Sequence, residues 1–260
     1  MRTSKQDTGY SAICTSDADS ITVRGRDLCE DLIGKVDFSS YFWLLVTGQE
    51  PDENQSFFLN ATLVALAEHG MVPSVAAARM TLAAAPEAVQ GAVAAGILGC
   101  GSVALGSAEI AGTFYADCVK DQRESGDPVD VVAARNIERW RSHTKAVPGF
   151  GHWQHVKGDP RALKLLELAD ERGASGEHVA MMRALHAALT EAIGRELPVN
   201  VNGPIPAILL DIGWPLPALK GIGLLSRTGS LIGHLAEEAE RPVGFIMSGA
   251  ASAAIEYDGK

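Results

Sequence analysis

Cysteine is sparse: four residues, Cys14, Cys29, Cys100 and Cys118, stand far apart in 260, and none forms a CxxC pair. That excludes a zinc-ribbon or thioredoxin-type motif and predicts free buried thiols in a reducing compartment. Positive charge is also short, with 22 Lys and Arg against 32 Asp and Glu, a formal net charge of −10. Nucleic acid and anionic membrane surfaces are therefore not expected as partners, because phosphate binding needs clustered Lys and Arg. An acidic ligand has to be held by a few placed arginines against the global field. The opening "MRTSKQDTGYSAICTSDADS" has no apolar core, so no signal peptide is read and a cytoplasmic location is expected. Period-2 alternation is almost absent, which argues against sheet.

Apolar residues make up 47% of the chain, enough for a substantial core. The stretch "AVQGAVAAGILGCGSVALGSA", Ala88 to Ala108, carries no charge and is long enough to span a bilayer, but it is poor in large apolar side chains. Gly91, Ala95 and Gly99 recur every four residues and form a face on which helices can approach closely. The expectation is a helix buried in the core or in a subunit interface, not a membrane span. Helical periodicity predicts an all-α fold with helices near 39–48, 56–69, 74–84, 88–98, 105–121, 129–142, 160–172, 177–195 and 217–241. In "DPRALKLLELADERG", Asp159 can cap, Pro160 suits the first helical position and Gly173 can end the helix.

Chemistry concentrates in "AVPGFGHWQHVKGDPRAL", residues 146–163. His152 and His155 lie three apart, but no third ligand stands near them in sequence and no HExxH spacing exists, so no metal is expected. "GFGHWQ" lacks the last glycine of a dinucleotide fingerprint, and no G-x-S-x-G marks a nucleophile. The loop reads instead as a binding element: Gly149 and Gly151 let a flat ligand approach the main chain. Arg161 in the first turn of the following helix opposes the helix dipole. It is either a solvated arginine or one that shares a ligand carboxylate with the helix end.

"VPGFGH" followed by "KGDPRA" resembles the citrate synthase superfamily, which includes citrate synthases, citryl-CoA lyases and the C-terminal module of ATP-citrate lyase. "VRGRDLCEDLIGKVDFSSYFWLLVTGQEP", "LVALAEHGMVPSVAAAR", "VNVNGPIPAILLDIGWP" and "LLSRTGSLIGHLAEEAERP" are similar to further family motifs in the same order. The resemblance implies an all-α homodimer or higher homo-oligomer. It also implies a large domain (1–112 and 217–260) and a small one (113–216) that closes over small-molecule substrates, a keto acid and an acyl ester of coenzyme A. It puts His69 and His152 on histidines that hold the keto acid and polarise its carbonyl. Arg161 and Arg227 fall on carboxylate-binding arginines, and Arg241 on one supplied across the dimer interface. Val147, Pro148, Gly149, Phe150 and Gly151 fall on the segment that receives the adenine of coenzyme A. His155 matches no functional position in the family and is expected to be a surface or packing residue.

Two positions depart from the family pattern. Ala104 stands where citrate synthases carry a histidine that hydrogen-bonds the thioester oxygen, and Asn202 where they carry the aspartate that removes the α-proton. An amide cannot exchange a proton near neutral pH. The resemblance and these departures together imply a citryl-CoA lyase-like enzyme that splits citryl-CoA or a related 3-hydroxyacyl-CoA into acetyl-CoA and oxaloacetate or another 2-keto acid. In it His152 steers or accepts the hydroxyl proton and Asn202 hydrogen-bonds the departing enolate or its water. Citrate synthesis by other groups, and a non-catalytic homologue that binds a keto acid or CoA ester, are the alternatives.

Overall fold

The structure, a computed structural model, describes residues 9–103, 105–152, 154–156 and 158–259. Ala104 lies outside the described residues. The chain forms two compact units that divide at Asn60 and Ala61. The molecule is mostly helical, as the periodicity predicts, with one small sheet that the sequence analysis does not anticipate.

That sheet opens the first unit. Strands β1 (Cys14–Ser16), β2 (Ile21–Val23) and β3 (Arg26–Asp27) pair antiparallel in the order β1-β2-β3. Arg24 and Gly25 both have positive φ, which makes the tight reversal between β2 and β3. Asp27 then caps a π-helical turn, Leu28–Leu32, by accepting the Cys29 and Glu30 N–H groups. Helix α1 (Phe38–Thr47) is capped by Asp37 and ends at left-handed Gly48. Val23, Leu32 and Leu44 form the core, and the Arg24 guanidinium reaches the Leu45 carbonyl. Helix α2 (Glu53–Ala67) begins in this unit.

In the second unit, α3 (Pro73–Ala84), α4 (Val89–Leu98), α10 (Leu219–Glu240) and α11 (Gly244–Ala254) pack together. Val75, Ala78, Leu82, Ala92, Leu231 and Leu235 fill the space between the first three of these. A second group contains α5 (Ser107–Ser125), α6 (Val129–Arg141), α7 (Pro160–Glu171), α8 (Glu177–Ile193) and α9 (Pro204–Asp211). Its core includes Tyr115, Met181, Met182, Leu185, Ile205 and Leu209. Asp211, buried at the end of α9, accepts the N–H groups of Gly176, His178 and Val179 and so caps α8 from another helix.

Four differences from the sequence reading have local causes. Helix α5 runs on to Ser125 and stops at left-handed Gly126. Helix α9 begins at Pro204 with Pro206 in its first turn, and both prolines sit where no intrahelical N–H is needed. Helix α11 carries no side-chain cap at its own N-cap residue; Glu238 of α10 accepts the Val243 and Gly244 N–H groups instead. The uncharged stretch 88–108 is helical to Leu98 and again from Ser107, close to the predicted 88–98 and 105–121, but its close-packing face is not the predicted Gly91, Ala95 and Gly99. Among the described residues no helix is long and apolar enough to cross a membrane. The inward face of α4 is Ala92 and Gly96, whereas Gly91 and Gly99 are exposed.

A Cβ on Gly96 meets Leu231 Cδ1 at 2.6 Å and the Ser74 carbonyl oxygen at 2.7 Å. Gly96→Ala is therefore expected to lower the unfolding free energy by about 1–3 kcal/mol in denaturant titrations. Gly91→Ala, in an open helical position, is expected to leave it unchanged or raise it by up to ~1 kcal/mol. Equal effects at the two positions contradict this packing.

Candidate active site

The loop between α6 and α7 is built on its glycines and on a partner loop. Gly149 has φ +89°, and a Cβ there falls 2.2 Å from the Tyr115 hydroxyl and 3.0 Å from Gly203 Cα, so only glycine fits. The Tyr115 hydroxyl donates to the Pro148 carbonyl at 3.4 Å. Phe150 bridges antiparallel to Val199. Gly151 N–H donates to the Pro198 carbonyl, and the Asn200 backbone and side-chain amides donate to the Gly149 and Gly151 carbonyls. His186 stacks on Phe150 and donates to the Leu197 carbonyl at 2.6 Å. Segments 147–151 and 197–203 thus form one backbone-locked unit, with Asn202 half-buried on it.

A cavity of about 610 Å³ opens beside this unit. His69, His152, Arg161, Arg227, Asn202 and residues 147–151 all line it. Arg241 is not on its wall: it is exposed at the turn between α10 and α11. That turn is pinned from below by Arg79. The buried Arg79 guanidinium holds Glu238 through Nε at 2.7 Å and Glu237 through Nη1 at 2.8 Å, and it donates from Nη2 to the Arg241 carbonyl at 3.3 Å.

The two cavity arginines differ. Arg161 is already paired within the chain: its Nε and Nη2 donate to the two carboxylate oxygens of Asp159, at 3.0 and 2.8 Å, while the side chain stays partly exposed on the cavity wall. The same carboxylate accepts Arg161 N–H and, from the partner loop, Val201 N–H at 3.1 Å. The helix-dipole conflict at Arg161 is therefore resolved inside the protein by the N-cap residue itself. Asp159 is fully buried. Burial pushes its carboxyl up, but the Arg161 guanidinium and the two backbone N–H groups outweigh that and hold it below its ordinary range. Sequence analysis gives Asp159 only a capping role, yet it sets the orientation of Arg161 and ties α7 to the loop that carries Asn202.

Arg227, by contrast, is 3% exposed with no carboxylate in ion-pair contact among the described residues. Its Nη2 reaches the Leu66 carbonyl at 3.3 Å, its Nη1 only grazes Ser230 Oγ at 3.5 Å, and its Nε has no hydrogen-bond partner. The Ser230 hydroxyl also donates to Glu68, whose charge reaches Arg227 only at longer range. A buried guanidinium this poorly matched is costly without an anion beside it.

The histidines come together more closely than the sequence suggests. His69 supplies the third imidazole that His152 and His155 lack, with one nitrogen of each ring within 4.8 Å of the others. His155 is half-buried against His69, with the two Nε2 atoms 3.1 Å apart. His152 Nδ1 accepts the N–H groups of Gln154 and His155 at 3.0 and 2.9 Å. A neutral imidazole that accepts at Nδ1 carries its proton on Nε2. Burial holds the His152 and His69 rings below the ordinary histidine range, so both are neutral near pH 7. In this loop conformation neutral His152 is a hydrogen-bond donor at Nε2. It is not a proton acceptor there. The neighbouring Arg161 also disfavours a cation here.

The sequence matches the family described as citrate synthase, C-terminal domain, over residues 30–245. The citrate synthase of Haloferax volcanii is 26% identical over 84% of this chain, and the match covers 55% of that protein. The chain thus spans about half the length of the curated relatives it matches. The structure of citryl-CoA lyase from Hydrogenobacter thermophilus superposes with a TM-score of 0.81 at 27% identity, covering 97% of this chain and 95% of that one. ATP citrate lyase from Methanothrix soehngenii, solved with citrate and coenzyme A, shares the fold with a TM-score of 0.77 at 21% identity over 99% of this chain and 42% of its own.

Asp159 gives the site a pH signature. Its folded value lies below the ordinary 3.8, so its stabilising contribution is present above that pH and is lost as the pH falls through the lower folded value. Asp159→Asn is expected to cost about 3–5 kcal/mol at pH 7 and to flatten the fall in stability below pH ~4. Unchanged stability at neutral pH contradicts the buried pair.

Proposed function

The chain belongs to the citrate synthase C-terminal-domain family, and from that premise we propose that it cleaves citryl-CoA, or a related 3-hydroxyacyl-CoA, to acetyl-CoA and oxaloacetate or another 2-keto acid. The observation that carries this reading is Arg227: a buried cation with no carboxylate partner among the described residues, on the wall of a cavity that also holds Arg161 and neutral imidazoles. A dicarboxylate supplies the missing anion, and guanidinium forks suit it. The near full-length likeness to a citryl-CoA lyase at 27% identity supports cleavage over the longer synthases.

In this reading the arginines hold the two carboxylates, with Arg241 contributed from a second copy of the chain in a homodimer. His152 donates its Nε2–H to the oxygen at the carbon that becomes the keto group, and so stabilises the alkoxide that forms there. Cleavage sends an electron pair to the thioester as an enolate. Asn202 faces that end with an amide that can hydrogen-bond the enolate or its water. At Gly151 the loop Val147–Gly151 leaves open space for coenzyme A, since beyond its chain neighbours no atom stands within 4 Å of a Cβ there. The division into domains 1–112 with 217–260 and 113–216 belongs to the same proposal, as closure over the acyl-CoA.

Purified protein mixed with citryl-CoA is expected to release oxaloacetate, followed by NADH consumption in a coupled assay, and His152→Ala is expected to lower kcat by roughly 10²–10³. A folded protein that binds oxaloacetate but releases none from citryl-CoA contradicts the lyase reading and favours a binding homologue. Condensation is a separate matter, because Asn202 cannot take the α-proton. The double substitution Ala104→His and Asn202→Asp is expected to raise citrate formation by about 10² or more. No gain argues that more than two lost groups separate this site from a synthase.

A further inference from the structure

Cleavage of a 3-hydroxyacyl-CoA begins with loss of the hydroxyl proton, so the cavity needs a base. Among the described residues, five titratable side chains line it: His69, Cys100, His152, Arg161 and Arg227. The two guanidiniums do not release protons in proteins. Cys100 is buried, donates to the Gly96 carbonyl and is a protonated thiol, since burial pushes it up. His152 accepts two backbone N–H groups at Nδ1, which puts its proton on Nε2 and leaves it no lone pair for the substrate. His69 remains. Its Nε2 is engaged by His155, a residue off the cavity wall, and its Nδ1 has no hydrogen-bond partner among the described residues.

We infer that His155 is a positioning residue: it accepts the Nε2–H of His69 across the 3.1 Å contact and so leaves the Nδ1 lone pair of His69 to take the hydroxyl proton of the substrate. The inference rests on the cleavage reading above. It balances without an added reactant. The O–H bond breaks and an N–H bond forms at His69 Nδ1, the oxygen's electron pair becomes the new carbonyl, and the carbon–carbon pair passes to the thioester as enolate. The α-carbon then takes a proton from solvent, and the proton on His69 returns to solvent. While His69 is cationic, its Nε2–H bond to the His155 ring is charge-assisted and strengthens. Arg161 and Asp159, from the start of α7, and His152 are the other groups that act on His69, and Arg161 opposes its protonation. A partner at Nε2 therefore has work to do there. Sequence spacing hides the pair, since the two residues stand 86 positions apart.

Imidazole ¹⁵N spectra of the resting protein test the positioning without any substrate. The expected result is a single Nε2–H tautomer for His69 and an Nδ1–H tautomer for His155. In His155→Ala the His69 signal should become a tautomer mixture, and His155→Gln, which keeps an acceptor at that place, should restore it. With citryl-CoA, His155→Ala should lower kcat roughly 10- to 100-fold with KM changed far less, and His155→Gln should recover most of the loss. A His69 tautomer unchanged in His155→Ala, or equal loss in both variants, overturns the inference. So does stoichiometric Co²⁺ binding that needs all three histidines, because the cluster is then a metal site. If the tautomers behave as expected but the wild-type protein releases nothing from citryl-CoA, the cleavage reading and the proton-transfer role fail together, while His155 stands as the residue that orients His69.

Discussion

The carboxylate of Asp159 is the point through which the cavity is organised. It caps α7, grips Arg161 by two guanidinium nitrogens and holds the Val201 N–H of the opposite loop. A fully buried charge is tolerated only when its lone pairs are filled, and here four donors fill them. Removing that carboxylate takes the acceptor from helix end, arginine and loop at once. The pairing also tempers the cationic character of the cavity. Arg161 arrives with its charge already matched, whereas Arg227 has no matching carboxylate among the described residues.

Backbone hydrogen bonds do for His152 what Asp159 does for Arg161. The Gln154 and His155 N–H groups choose its tautomer, and the turn that supplies them also carries the His155 ring toward His69. One short segment thus determines the protonation of two imidazoles, one directly and one through a neighbour. A neutral donor is the form needed beside an oxygen that gathers charge, because its hydrogen bond strengthens as the alkoxide forms. The division of labour is then a donor at His152 and an acceptor at His69, set by environment although the two side chains are chemically the same.

Local spacing made much of the framework legible. The run from Asp159 to Gly173 announces its own cap, first proline and stop, and α7 occupies 160–171. The Gly-bearing loop and Arg161 are likewise visible as chemistry before any fold is known. Elements whose ends are completed from elsewhere were not legible. Helix α11 owes its cap to Glu238, and α9 begins with two prolines that read as a break. The three strands are two or three residues long, too short for alternation to register. In the site, the missed facts are pairings: Arg161 with a carboxylate two residues away, already credited as a cap, and His69 with a histidine that matched no family motif.

In the proposed function a dicarboxylate keto acid completes this cavity. Calorimetric titration of oxaloacetate into the wild-type protein and into folded Arg227→Gln, at the same pH and salt, tests it most directly. The account predicts saturable binding to the wild type and binding roughly 10- to 100-fold weaker in the variant, the loss of charge-assisted hydrogen bonds. Absence of binding to the folded wild-type protein, or equal affinity in the two, contradicts it.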